Sequence, residues 1–193
     1  KFFNLGSASQ RYLRGAGAWL CCIAAPLTLA AALHYGLVEM PAAIAVCGNA
    51  LIVYLAIGRK SLKDHASAIA DALVANDIVA ARKAVSLVVS RDTSSLDNNG
   101  VSKAAVETVL ENGSDAIFAS LFWFAVAGLP GVVLHRCANT LDAMWGYRNE
   151  RFNEFGCTAA RIDDVLNFIP ARLTALSYAV GGHCANALRS WRQ

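Results

Sequence analysis

The chain has 193 residues, of which 56% are hydrophobic and 16% charged, with a mean hydropathy of +0.41. That length allows one domain with a sizeable core, and the balance lies outside the soluble norm and points to a bilayer as the solvent. The net charge of +3 is small, and Lys and Arg are scattered among carboxylates with no basic stripe interleaved by aromatics, which excludes a nucleic-acid groove.

Lys1 to Arg14 is polar, and about 15–38 is uncharged, long enough to cross a hydrocarbon core of about 30 Å. The run is too long for a signal peptide and lacks a convincing cleavage site; it is predicted as a first transmembrane helix, kinked at Pro26. Glu39-Met40-Pro41 makes a turn into a second uncharged run, 40–58. Arg11 and Arg14 before this hairpin and Arg59 and Lys60 after it place both its ends on the cytoplasmic side.

From Ser61 to Ser90 apolar residues recur at helical spacing, with Asn76 and Asp77 supplying a turn and an N-cap, which predicts a cytoplasmic helix pair. Val101 to Glu111 reads as a helix ended by Asn112-Gly113. A third uncharged run, 116–135, is broken at Gly128-Leu-Pro-Gly131, and two readings stay open: a kinked full span, or a re-entrant hairpin that keeps the polar segments on either side together. A last apolar run, 165–188, contains Arg172. The fold class expected is all-α, a single polytopic membrane domain over 1–193 with a broken or re-entrant segment and a cytoplasmic helix pair.

Cys21, Cys22, Cys47 and Cys184 lie inside apolar runs without a Cys-x-x-Cys pair, so the cysteines read as small core residues. His34, His135 and His183 lie in or beside apolar stretches and read as packing residues, so no metal cluster is built on them. There is no P-loop, dinucleotide fingerprint or nucleophile-elbow motif. Polar residues concentrate instead in three segments: Ser90-Arg-Asp-Thr-Ser-Ser-Leu-Asp97, Glu107 to Asp115, and Asn139 to Arg172. Ionisable groups at a bilayer are costly and are functional candidates by default.

Asp163 and Asp164, with Asn167 one turn later, suit magnesium, which takes one or two carboxylates plus substrate phosphates; the plainer reading is capping and solvated surface. Glu107 and Glu111 share a helix face that Lys103 pairs with. Arg172 either holds a phosphate or carboxylate, or snorkels to the interface.

Taken in order, Ser90–Asp97, Ala105–Asn112, Phe122-Trp123, Gly128–Gly131, Ala138-Asn-Thr-Leu-Asp-Ala-Met144, Gly146-Tyr-Arg-Asn149, Ala160-Arg-Ile-Asp-Asp-Val-Leu-Asn167 and Ile169-Pro-Ala-Arg-Leu-Thr174 resemble the CobD/CbiB family of adenosylcobinamide-phosphate synthases. The likeness runs from about Arg59 onward, and the first hairpin matches only in hydrophobicity. Members of that family are longer at both ends.

The resemblance implies a ligase-type enzyme of cobalamin biosynthesis in the inner membrane, multi-pass, with its site facing the cytoplasm. It would join the propionate carboxylate of the corrin adenosylcobyric acid to (R)-1-amino-2-propanol or its phosphate, using ATP and Mg2+. Partners would be these small molecules, the lipid bilayer and other membrane-bound cobalamin-assembly enzymes, with no nucleic acid. A carboxylate must be activated before an amine attacks it, and phosphoryl transfer needs metal and cationic groups to neutralise charge.

The residues this implies as catalytic are Glu107, Glu111, Asp142, Asp163 and Asp164, with Asp142, Asp163 and Asp164 positioning magnesium. Those implied for substrate and phosphate binding are Arg91, Asp92, Asp97, Asn112, Asn139, Arg148, Arg161, Asn167 and Arg172. Two other readings remain: a membrane transferase acting on a diphosphate-bearing substrate, for which Asn139-Thr-Leu-Asp142 would have to be the second acidic motif, or a non-catalytic corrin-binding, transport or sensory membrane protein.

Overall fold

The computed structural model describes residues 7–89, 92–147 and 152–182, and every regular element among them is a helix. The helices gather into two compact units, 1–56 with 118–193, and 57–117.

The first unit opens with α1 (Ala8–Val38). A reciprocal cap starts it: the Gln10 amide nitrogen donates to the Ser7 hydroxyl, and the Ser7 amide nitrogen donates to Gln10 Oε1. The chain turns at Glu39–Pro41, as its sequence predicts, and enters α2 (Ala42–Ala56). Leu20, Leu29, Leu33, Leu51, Tyr54 and Leu55 all point outward from this pair, an arrangement that water disfavours and acyl chains accept. Two helical stretches, Ala8–Val38 and Asn98–Trp145, are long and apolar enough to cross a membrane.

The rest of this unit is α6 (Ser120–Trp145) and α7 (Cys157–Gly181). Trp19 and Ile23 of α1 pack with Ala138 and Leu141 of α6 and Ala159 and Leu166 of α7 into one apolar core. α6 is broken where the sequence predicts it. Ala127 leaves helical geometry at φ −135°, ψ 15°, and Gly128 follows at φ 62°, ψ −148°. Beyond the break the chain doubles back so far that a Cβ on Gly131 would strike the Trp123 carbonyl; eight residues along a straight helix the two would be roughly 12 Å apart in rise alone. The Trp123 indole donates to the Leu166 carbonyl at 3.0 Å and ties the first arm to α7.

The second unit holds α3 (Arg59–Val74), α4 (Ile78–Ser86) and α5 (Asn98–Gly113). The turn expected at Asn76-Asp77 is present: Asn76 takes the left-handed φ of 57°, which Asn tolerates better than most residues, and Asp77 caps α4 by accepting from the Ala80 amide at 2.9 Å. Ile69, Ala81, Val85, Val101 and Ala104 form its core.

Two boundaries differ from the sequence expectation. α5 does not stop the helical chain at Asn112-Gly113; a π-helical stretch, Ser114–Ala119, follows it directly. α7 starts at Cys157, a turn and a half before Asp163, so the paired aspartates sit inside the helix and not at its start.

Candidate polar seam between two helices

His135, Asn139 and Asp142 are spaced four and three apart on α6, which sets them on one face of that helix. Asp163 and Asn167 are four apart on α7. Antiparallel packing brings the two rows together: His135 Nε2 lies 3.0 Å from Asn167 Oδ1, and Asn167 Nδ2 donates to Asp163 Oδ2 at 3.1 Å. His135 is fully buried and Asp163 is 9% exposed, so an acid, an amide and an imidazole form a continuous seam inside an apolar bundle.

Each end of the seam finishes in an unpaired atom. His135 Nδ1 and Asp163 Oδ1 are buried without a hydrogen-bond partner, and a buried acceptor left unmade costs about 1–3 kcal/mol, more when charged.

Asp163 lies outside the two stretches long and apolar enough to cross a membrane, Ala8–Val38 and Asn98–Trp145. Burial raises the pKa of the Asp163 carboxyl, opposed by hydrogen bonding from Asn167 and Asn139, with the Asp164 charge adding to the rise. Asp142 is half-buried and lies within electrostatic range of Asp163 and Asp164. Its carboxylate folds over Gly146, where a Cβ would collide with it. Two mutually repelling, partly desolvated carboxylates invite a cation between them.

Asp164, Arg161 and Arg172 stand on the exposed side of α7. Arg172 folds back on its own helix, donating from Nη1 to the Phe168 carbonyl at 2.7 Å with its guanidinium 3.4 Å above the Phe168 ring centroid. If this guanidinium is released to grip a phosphate, Arg172→Lys will fail to support turnover, because an ammonium cannot reproduce the planar fork. Full activity of Arg172→Lys in a steady-state assay would make Arg172 an interfacial anchor only.

The remaining residues fall elsewhere. Arg91 and Arg148 lie outside the described residues. Asp92, Asp97, Glu107, Glu111 and Asn112 belong to the second unit, where the structure gives each of the first three and Asn112 a local contact. Asp92 accepts from the Ser94 amide and hydroxyl, which lowers its pKa. Asp97 caps α5 through the Gly100 amide at 2.7 Å. The loop is tied to α4 by Arg82 Nε donating to the Leu96 carbonyl and by Thr93 Oγ1 donating to the Arg82 carbonyl. Glu107 pairs with Lys103 at 3.9 Å, Asn112 donates to the Thr108 carbonyl, and Glu111 is exposed.

Among the described residues no group of three or more His, Cys, Asp or Glu side chains could hold a metal. The seam still fits magnesium in the way that ion is often held, by one or two carboxylates and the phosphates of a substrate, since Asp163 offers a buried oxygen with no other partner. His135 is the member that sequence reasoning set aside as packing. Its spacing to Asn139 and Asp142 carried the signal, but the facing row on α7 had to be seen for the spacing to matter.

Comparison with known proteins gives a consistent result. The family described as CobD/Cbib protein matches residues 1–193. The cobalamin biosynthesis protein CobD of Stutzerimonas stutzeri is 55% identical over 98% of this chain and 61% of its own length. That of Chromobacterium violaceum is 54% identical over 93% of this chain and 56% of its own, and that of Rhodobacter capsulatus 43% identical over 90% and 55%. The chain thus spans about three fifths of the length of these curated relatives. No solved structure matches it. With its whole length matched and identities above half to named relatives, the chain belongs to the CobD/CbiB family.

Proposed function

We propose that this chain carries the site of an integral membrane synthase of cobalamin biosynthesis that joins the propionate carboxylate of adenosylcobyric acid to the amine of (R)-1-amino-2-propanol or its phosphate, using ATP. What supports this most is the seam of Asp142, Asp163, Asn167 and His135, a costly polar row inside an apolar bundle, in a chain whose relatives are named for that pathway.

Magnesium, when bound with nucleotide, supplies charge neutralisation for phosphoryl transfer to the carboxylate. Asp163, presenting Oδ1, and Asp142 beside it would hold that ion, with Asn139 and Asn167 orienting the Asp163 carboxylate. Arg161 and Arg172 of α7 would meet phosphates of ATP and of the aminopropanol. The apolar walls exclude water, which would otherwise compete with the amine for the activated carboxylate.

The same facing rows would also serve a transferase acting on a diphosphate-bearing substrate, because Asn139-Thr-Leu-Asp142 lies against Asp163-Asp164-Val-Leu-Asn167. One experiment separates the two. The full-length protein, reconstituted in vesicles with ATP, magnesium, adenosylcobyric acid and aminopropanol phosphate, should yield the amide by mass spectrometry, and its absence under these conditions rejects the synthase reading.

With Arg59 and Lys60 on the cytoplasmic side, a seam that faces the cytoplasm, where ATP is available, requires the chain to enter and leave the membrane on one side between Ala116 and His135. The break at Ala127–Gly128 supports a re-entrant path. Single cysteines replacing Ser94 and Asn153, in a background free of native cysteines, should both react with a membrane-impermeant thiol reagent only from the cytoplasmic face. Labelling of the Asn153 position from outside while the Ser94 position resists rejects the re-entrant path.

A further inference from the structure

We propose that His135 is a positioning residue for Asp163, acting through Asn167 to fix which carboxylate oxygen is left for the metal. This rests on the magnesium role given to Asp163 above.

The hydrogen-bond chemistry of the seam runs in one direction. An ionised carboxylate only accepts, so the group that Asn167 turns toward Asp163 Oδ2 at 3.1 Å must be its NH2. The amide oxygen of Asn167 is thereby turned toward His135, 3.0 Å from Nε2. That oxygen only accepts as well, so His135 must carry its proton on Nε2 and leave Nδ1 bare. Nδ1 is buried without a partner, as the bare nitrogen of that tautomer would be where no donor reaches it.

Reading the row from the other end gives its purpose. The His135 ring is fully enclosed, packed in the second arm of α6 where Leu129, Val132 and Ala138 are also fully buried, so its orientation is set by the bundle and not by the ligand. Its N–H prevents the Asn167 amide from flipping. An unflipped amide always offers NH2 to Oδ2; Asn139 also approaches the carboxylate but makes no hydrogen bond to Oδ1, so Asp163 Oδ1 is the oxygen left uncommitted. Supporting residues that hold a ligand through a hydrogen bond in this way typically change metal affinity by about 10- to 100-fold when removed.

The test uses the full-length protein and manganese as the probe, with free Mn2+ followed by electron paramagnetic resonance during titration in the presence of ATP. His135→Gln keeps an N–H donor near the Nε2 position, whereas His135→Leu keeps bulk and removes the donor. The expected result is Mn2+ affinity within about threefold of the parent for His135→Gln and a loss of about tenfold or more for His135→Leu. Equal affinities in the two variants, whether both retained or both lost, overturn the proposal, because a packing role does not depend on the donor.

Should His135→Leu fail to fold, the unmodified protein still decides the matter. Nitrogen NMR of 15N-histidine-labelled protein, with the His135 signals assigned by their loss in His135→Gln, must show the Nε2–H tautomer; an Nδ1–H tautomer overturns the proposal. Asp163→Asn distinguishes this failure from that of the underlying reading. If Asp163→Asn binds Mn2+ as the parent does, the magnesium role falls, and the proposal for His135 falls with it. If Asp163→Asn loses binding and His135→Leu does not, only the role of His135 falls.

Discussion

Asp163→Asn is expected to reduce amide formation by at least the roughly 10- to 100-fold that loss of a supporting residue costs a metal site, while the protein melts at the same temperature as the parent or slightly higher. The reason lies in the seam. Asn at this position still offers an oxygen to Asn167 Nδ2, now 3.1 Å from Asp163 Oδ2, so the internal hydrogen bond survives. What disappears is a desolvated negative charge, which disfavours the folded state unless a cation compensates it. Asp164→Asn provides the contrast, because Asp164 is exposed and a surface substitution usually changes stability by no more than about 0.5 kcal/mol. Its loss of turnover should be much smaller. Equal turnover in the parent and Asp163→Asn, measured by product mass spectrometry, would remove the seam from the reaction.

Gly128→Ala is the second substitution with a large expected effect, and it acts on the fold. At φ 62° and ψ −148° Gly128 occupies a region essentially reserved for glycine, and a methyl group there would press on the His34 ring of α1. Strain of this kind costs about 1–3 kcal/mol, to which the collision adds. Thermal unfolding in detergent should show a clear fall in midpoint. Combining Gly128→Ala with His34→Ala should recover the part due to the collision and leave the part due to the backbone. A variant as stable as the parent would mean that the break does not need this backbone geometry.

Much of the helical order was legible because local chemistry fixes it. Glu39-Met40-Pro41 ends one apolar run and starts another, and Asn76-Asp77 supplies both a left-handed residue and a cap, so both turns were readable. The break after Ala127 was readable from its Gly-Leu-Pro-Gly run. Asn112-Gly113 misled because it resembles a helix stop, yet Gly113 does not take a left-handed φ and the backbone passes into a π-helical stretch, a wide turn with no simple sequence signature.

The start of α7 was missed for a related reason. Cys157-Thr-Ala-Ala160 has no side-chain cap ahead of it; Gly156 precedes it without a capping hydrogen bond. As for the site, Asp142, Asn139, Asp163 and Asn167 could be selected by residue type, but which of them meet depends on the antiparallel register of α6 and α7. No local pattern encodes that register, and it alone turns His135 from a buried ring into a hydrogen-bonding one. The second-unit acids show the converse. Asp92 and Asp97 stood out as polar residues near a bilayer, and the structure finds each occupied in holding its own loop or helix end.

The turn at 152–156 joins α6 to α7 by contact as well as by sequence. Gly15 of α1 lies so near the Phe155 carbonyl that a Cβ would overlap it, Gly156 lies equally near the Trp145 carbonyl, and Arg11 reaches Glu154 at 3.5 Å. Backbone packed on backbone has no side chain that can swivel to let one partner leave alone. The three helices are riveted at this point. In hydrogen exchange, the amides around Gly15, the last turn of α6 and the first turn of α7 should therefore open together, in a single slow event, as one cooperative unit.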